Sequence, residues 1–101
     1  MKVIVAHKQY FWDVDNTLII WEKGAKWHAH VAHIQLMEQF KYQGHANIVW
    51  SAGGALWAEK AVEMLGITHL VDIIINKPDG YCDDKKVTEF MPDTMHFYLK
   101  E

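Results

Sequence analysis

Apolar and polar positions fall into short blocks along the 101-residue chain, and each block has its own period. Near the start, "VIVA" and "YFWDV" are rich in β-branched and aromatic residues, which predicts strands. Residues 25–43, "AKWHAHVAHIQLMEQFKYQ", carry Trp27, Val31, Ile34, Met37 and Phe40 at spacings of three and four, the period of a helix. Gly44 follows where a helix C-terminal glycine belongs. "ANIVW" (46–50) lies between Gly44 and "SAGG" and predicts a strand buried on both faces. "ALWAEKAVEMLG" returns to the helical period, with Trp57, Ala61, Met64 and Leu65 on one side and Gly66 as its stop. "LVDIIIN" (70–76) is a further β-branched run, ended by "KPDG". "YCDDKKVTEF" predicts a short strand around Tyr81 and Cys82, and the tail "MPDTMHFYLKE" has no clear period.

Strands alternating with helices imply right-handed crossovers onto a mainly parallel sheet with helices on its faces. The length suits one domain over residues 1–101, without internal repeat or linker. Half of the chain is apolar and 23% is charged, a globular composition. The net charge of −3 gives no electrostatic footprint for nucleic acid or an anionic membrane. A single cysteine, Cys82, excludes an internal disulfide and fits a reducing compartment. The opening "MKVIVAHKQYFW" does not read as a signal peptide, and no apolar run approaches the roughly 20 residues of a membrane helix. The expectation is a soluble cytoplasmic protein.

In parallel α/β sheets, ligands bind beyond the carboxyl ends of the strands. The residues there are Asp13 and Asp15, then Ser51, then Lys77, then Asp83 and Asp84. Aspartates could hold Mg²⁺, a hard cation that prefers oxygen ligands. The lysine and the hydroxyl could bind phosphoryl oxygens. A metal-neutralised aspartate could attack phosphorus, and a second could move the leaving-group proton. Each residue also has an ordinary explanation. Asp-x-Asp is a common loop feature, a serine after a strand is often a helix N-cap, "KPDG" is a good turn, and "DDKK" resembles a solvated charge run. Their order after successive strands is the stronger signal.

That order resembles the haloacid dehalogenase superfamily of phosphohydrolases. The strand leading to Asp-x-Asp-x-Thr is matched by "FWDVDNTL", the strand ending in Ser or Thr by "NIVWSAGG", the lysine by "INKPDG", and the closing acidic motif by "YCDDKK". The resemblance runs from about Tyr10 to Lys86 and implies a three-layer Rossmann-like, HAD-like fold. It also implies Asp13 as nucleophile and metal ligand, and Asp15 as general acid/base that lends its backbone carbonyl to Mg²⁺. Thr17, Ser51, Ala52 and Lys77 resemble the phosphate-binding positions, and Lys77 would also offset charge on Asp13. Asp83 or Asp84 would complete the metal site. Many members have glycine where this chain has Asn16. Only about 30 residues separate the first motif from the second strand, and only six positions separate Lys77 from Asp83, which implies a form without a cap domain. An open site would suit a phosphorylated small metabolite, a nucleotide, a macromolecular phosphate end, or a substrate covered by a second subunit.

Other readings compete. A receiver domain places its adjacent acidic pair first and a lone phosphoacceptor mid-chain, whereas this chain opens with Asp-x-Asp and puts its adjacent pair after the lysine. A phosphate-binding module without turnover remains an alternative. His28 and His30 would point about 200° apart on a helix, so only His30 and His33 could share a zinc ion there. Of the five tryptophans, most are expected in the core, with Trp21 and Trp27 exposed at the site or at a subunit contact.

Overall fold

The first regular element begins only where the chain finds a partner. In the computed structural model, which describes residues 1 and 3–91, strand β1 is Gln9–Trp12 and pairs in parallel with β4, Ala46–Ser51. The register sets Gln9 opposite Ala46 and Trp12 opposite Val49. "VIVA" forms no strand despite its composition, because residues 3–6 lie beyond the start of β4 and have nothing to pair with. On its other side β4 pairs in parallel with β5, Ile73–Asn76, giving the order β1-β4-β5.

Between β1 and β4 the chain differs from the expected single helix. Ile19–Trp21 (β2) and Trp27–Ala29 (β3) form an antiparallel hairpin, and helix α1 covers only Val31–Tyr42. Trp27 fits the helical period with Val31 by coincidence of spacing. The backbone instead turns through a short 3-10 segment, Lys23–Ala25, where Gly24 and Ala25 both have positive φ. The Glu22 N–H donates to the Lys26 carbonyl and closes the turn.

Helix α1 ends as its glycine predicts, with Gly44 in the left-handed region. Helix α2, Ala55–Leu65, stops at Gly66 in the same conformation. Its buried face is Ala58, Ala61 and Val62, one step round from the expected stripe, and Met64 stays outside. Both helices pack on the face of the sheet that carries Tyr10, Trp12 and Val49. The order β1-β4-β5 steps twice in one direction, and right-handed crossovers then put both helices on one side. The described residues thus form a sheet layer and a helix layer, and the third expected layer is not among them.

One polar side chain lies at the centre of this core. Asn47 is fully buried, accepts from the Trp12 indole at 2.9 Å, and donates to the Met37 and Leu70 carbonyls at 2.9 and 3.0 Å. Its backbone N–H is received by Asp72, whose other oxygen binds Lys41. Every polar atom of Asn47 in these contacts has a partner, so its burial is compensated and it ties β1, α1 and the approach to β5 together.

The region after β5 was expected to hold a strand at Tyr81 and Cys82. None forms: residues 76–86 are exposed, and the next element is a single helical turn, α3, Val87–Phe90. The tail from residue 92 lies outside the described residues. Among the described residues, no helix is long and apolar enough to cross a membrane.

Candidate active site

The carboxyl ends of β1, β4 and β5 share one edge of the sheet, and the candidate residues follow them. After Trp12 the chain makes a tight loop around Val14, whose carbonyl accepts the N–H groups of Thr17, Leu18 and Ile19. Val14, Leu18 and Ile19 are fully buried, while Asp13, Asp15 and Thr17 are half-buried. Val14 turns into the core between the two aspartates, as alternation along a strand end requires. Asn16 has φ of 61°, the left-handed conformation that asparagine tolerates better than most residues.

The two carboxylates are held differently. Among the described residues the Asp13 carboxylate accepts no hydrogen bond, whereas both oxygens of Asp15 are engaged. Oδ1 accepts from the Trp21 indole at 2.9 Å, and Oδ2 from the Trp57 indole at 3.2 Å. Trp21 comes from the hairpin and Trp57 from the first turn of α2, and their rings stack at 6.3 Å.

Ser51 is buried, and its hydroxyl accepts from the Gly53 N–H at 3.0 Å, folding the loop after β4 back on itself. It is not a helix cap. Gly54 occupies the N-cap of α2 with φ 104° and ψ 160°, a conformation reserved for glycine. The helix start is capped from a distance by Asn76, whose Oδ1 accepts the Ala55 N–H at 2.6 Å. Ala52 is exposed, and among the described residues its N–H has no acceptor. The Lys77 N–H donates to the Ser51 carbonyl at 3.0 Å, so its backbone is at the site. Its ammonium lies 5.8 Å from the centre of the Trp50 ring and makes no ion pair with Asp13.

Asp83 and Asp84 are exposed, and among the described residues Asp83 accepts only from the Lys85 N–H two residues on. Among the described residues no three His, Cys, Asp or Glu side chains gather as a metal site. The structure therefore unites Asp13 and Asp15 with Thr17, and Ser51 with the Lys77 backbone. It does not bring Asp83 or Asp84 to them. The chain was compared with protein-family models, with curated proteins and with solved structures. Nothing matches.

His30 and His33 take structural positions. His30 caps α1 by accepting the His33 N–H at Nδ1, and the two rings stack at 3.6 Å. His33 is buried, with Nδ1 2.7 Å from the Thr17 carbonyl, so it braces the aspartate loop from behind. Burial, followed by the neighbouring His33, holds the His30 pKa below its ordinary value. A shallow depression lined by Glu59, Val62, Thr68 and Asp72 lies at the opposite end, before β5, and shares none of these residues.

Sequence reasoning missed two contributors, Asn76, which reads as the end of a strand, and Trp57, which reads as core; Trp21 is among the tryptophans expected at the site or at a subunit contact. The available signal was an asparagine closing an otherwise β-branched run, and the crowding of tryptophans around the motifs.

Proposed function

We propose that the chain is a Mg²⁺-dependent phosphomonoester hydrolase of haloacid dehalogenase type, with Asp13 as nucleophile and Asp15 as general acid/base. The observation that carries this reading is the loop after β1. Two half-buried aspartates flank a buried valine there, beside the Ser51 turn, at the carboxyl edge of a parallel sheet. In this reading the fold is the three-layer Rossmann-like one over residues 1–101, without a cap, and the protein is cytoplasmic, with a homo-oligomer as one way to cover the site.

The chemistry follows from the two settings. Asp13 is free of hydrogen bonds among the described residues, so an oxygen lone pair is available to attack phosphorus. As the Asp13–phosphorus bond forms, the bond from phosphorus to the leaving oxygen breaks, and Asp15 gives that oxygen its proton. Water then attacks the aspartyl phosphate, Asp15 takes the water proton, and inorganic phosphate leaves with Asp13 restored. The Ser51 hydroxyl and the Ala52 N–H would hold the phosphoryl oxygens, with Thr17 at the loop and Lys77 once its ammonium leaves Trp50.

A magnesium ion fits in part. It commonly takes only one or two carboxylates with water and phosphate, so the Asp13 carboxylate and the Asp15 carbonyl would hold it. Neither is engaged by a hydrogen bond among the described residues. Bound Mg²⁺ would neutralise charge between an anionic nucleophile and an anionic ester. Asp83 or Asp84 would join only if the exposed segment after β5 folds inward.

A second reading is favoured by the Lys77 ammonium over Trp50 and by the exposure of Asp83 and Asp84, which gather with no metal-ligating group among the described residues: a phosphate-binding module without turnover. Hydrolysis of a generic aryl phosphate, with and without Mg²⁺, tests both for wild type and Asp13→Asn. The expected result is Mg²⁺-dependent turnover that falls to background in the variant. Full activity in the variant, or in excess EDTA, would sink the hydrolase. Phosphate binding with no turnover on a broad ester panel would select the module.

A further inference from the structure

A carboxylate on a short side chain rotates easily about its last bond, because torsions between tetrahedral and planar carbon have broad wells. Asp15 has that freedom removed. Each of its oxygens accepts one indole N–H, and the two donors belong to different elements, β2 for Trp21 and α2 for Trp57. A carboxyl group has about four lone-pair positions, so two remain, one to carry the proton passed to the leaving oxygen and one for water.

The donors are themselves braced. The Trp21 and Trp57 rings stack at 6.3 Å with 24° between their planes. Trp57 also lies against the backbone of the Ser51 loop, where a β-carbon on Gly53 would come within 3.1 Å of its Cδ1. One indole thus touches both candidate motifs: it packs on the turn after β4 and donates to the aspartate after β1. Trp21 fixes the other oxygen from a two-stranded hairpin, an element that has little stability unless it is docked.

We propose that Trp57 and Trp21 are positioning residues for the acid/base. Together they fix the plane of the Asp15 carboxylate and set its distance to the phosphoryl group held at the Ser51 loop. This rests on the hydrolase reading for Asp15, and it assigns a role to two residues that touch neither phosphorus nor metal. Binding of the phosphoryl group does not use the indole N–H groups, so their loss acts on the proton-transfer step.

Two measurements separate the clamp from the chemistry. The first is the ¹H–¹⁵N spectrum of the indole groups of the five tryptophans, in wild type and in Asp15→Asn. Two indole resonances, assigned by Trp21→Phe and Trp57→Phe, should move in Asp15→Asn while the others stay. If neither moves, the clamp does not exist and the proposal falls. The second is steady-state hydrolysis of an aryl phosphate. Trp57→Phe keeps an aromatic ring on Gly53 and removes the N–H, and should lower kcat about 10- to 100-fold with KM nearly unchanged. Trp21→Phe, on the more exposed side, should act in the same sense and covers the case where Trp57→Phe fails to fold.

The decisive comparison is made in the Asp15→Asn background. There, either Trp→Phe change should add almost nothing to the loss, because the residue acts through Asp15. Equal fold-losses with and without Asp15 would mark a merely structural role and overturn the proposal. Moving resonances in a wild type without turnover would overturn the hydrolase reading and this role, and leave the clamp as a structural joint.

Discussion

The loop after β1 and the segment after β5 carry the same chemistry, a pair of aspartates beside polar or basic neighbours, in opposite surroundings. Asp15 is bonded to partners 6 and 42 residues away, and the loop that holds it is anchored by fully buried Val14, Leu18 and Ile19. Asp83 is bonded to a backbone N–H two residues away and is exposed. Beyond Lys77, the contacts of the second segment close on themselves: Lys86 N–H to Glu89, Val87 N–H to the Tyr81 hydroxyl, and the Tyr81 ring against Phe90. A motif's residue types thus say little until the reach of its contacts is known. The first aspartate pair is built into the domain, and the second rests on local turn chemistry.

The strongest way to break this contrast is to compare a core substitution behind the first loop with a surface one in the second segment. Asn47→Leu would take a partner from the Trp12 N–H and from the Met37 and Leu70 carbonyls inside the core. Each orphaned buried group costs about 1–3 kcal/mol, and the Met37 carbonyl keeps its helix bond, so the Trp12 N–H and the Leu70 carbonyl together should cost about 2–6 kcal/mol, enough to unfold much of a small domain. Asp84→Asn should change stability by less than about 0.5 kcal/mol, as exposed substitutions do. Urea unfolding followed by tryptophan fluorescence measures both. Equal midpoints for the two variants would show that Asn47 does not hold the first region together.

The same contrast explains what could be read from the chain. The buried valine between two aspartates was legible, because "FWDVD" alternates and alternation is a local property. So were β4, α2 and the glycines that end both helices, each marked by a continuous run or a clear stop. The hairpin was not, since Trp27 has helical spacing to Val31 and only the backbone reversal at Gly24 and Ala25 removes it from the helix. His33 carries no local mark of its place: it is buried, and its Nδ1 meets the Thr17 carbonyl 16 residues earlier. The strand expected at Tyr81 and Cys82 failed for the opposite reason: β propensity without a neighbouring strand to receive it. In the site, Asp13, Asp15, Ser51 and the Lys77 backbone were found by position after strands. The partners that orient them, Trp21, Trp57 and Asn76, are set by tertiary contact and leave only a faint mark in sequence.

Asn76 sits at the border between the two regions and sharpens the comparison with a smaller effect. Its side-chain oxygen caps the Ala55 N–H, so α2, and Trp57 on it, depends on the last residue of β5. Asn76→Ala should destabilise by about 1 kcal/mol, the usual loss when a helix cap is removed. Asn76→Asp, which retains the accepting oxygen at a helix N-terminus, should recover most of it. A urea midpoint for Asn76→Ala equal to wild type would mean that α2 is set independently of β5, and that the border lies elsewhere.

The smallest expected effect concerns pH, and it too belongs to the built region. His30 caps α1 with Nδ1 and stacks on His33, and burial, then the neighbouring His33, lowers its pKa in the folded chain. An unfolded histidine titrates near about 6.5. Between that value and the lower folded one, the unfolded chain binds more protons, so falling pH favours unfolding. This contribution is complete above the unfolded pKa and is lost as pH drops through the folded one. His30→Asn keeps an acceptor suited to a helix N-cap and removes the titrating group. The urea midpoint of the wild type should therefore fall more between pH 7.5 and pH 5 than that of His30→Asn, with the two converging at the higher pH. If both lose the same amount, the acid sensitivity does not come from His30.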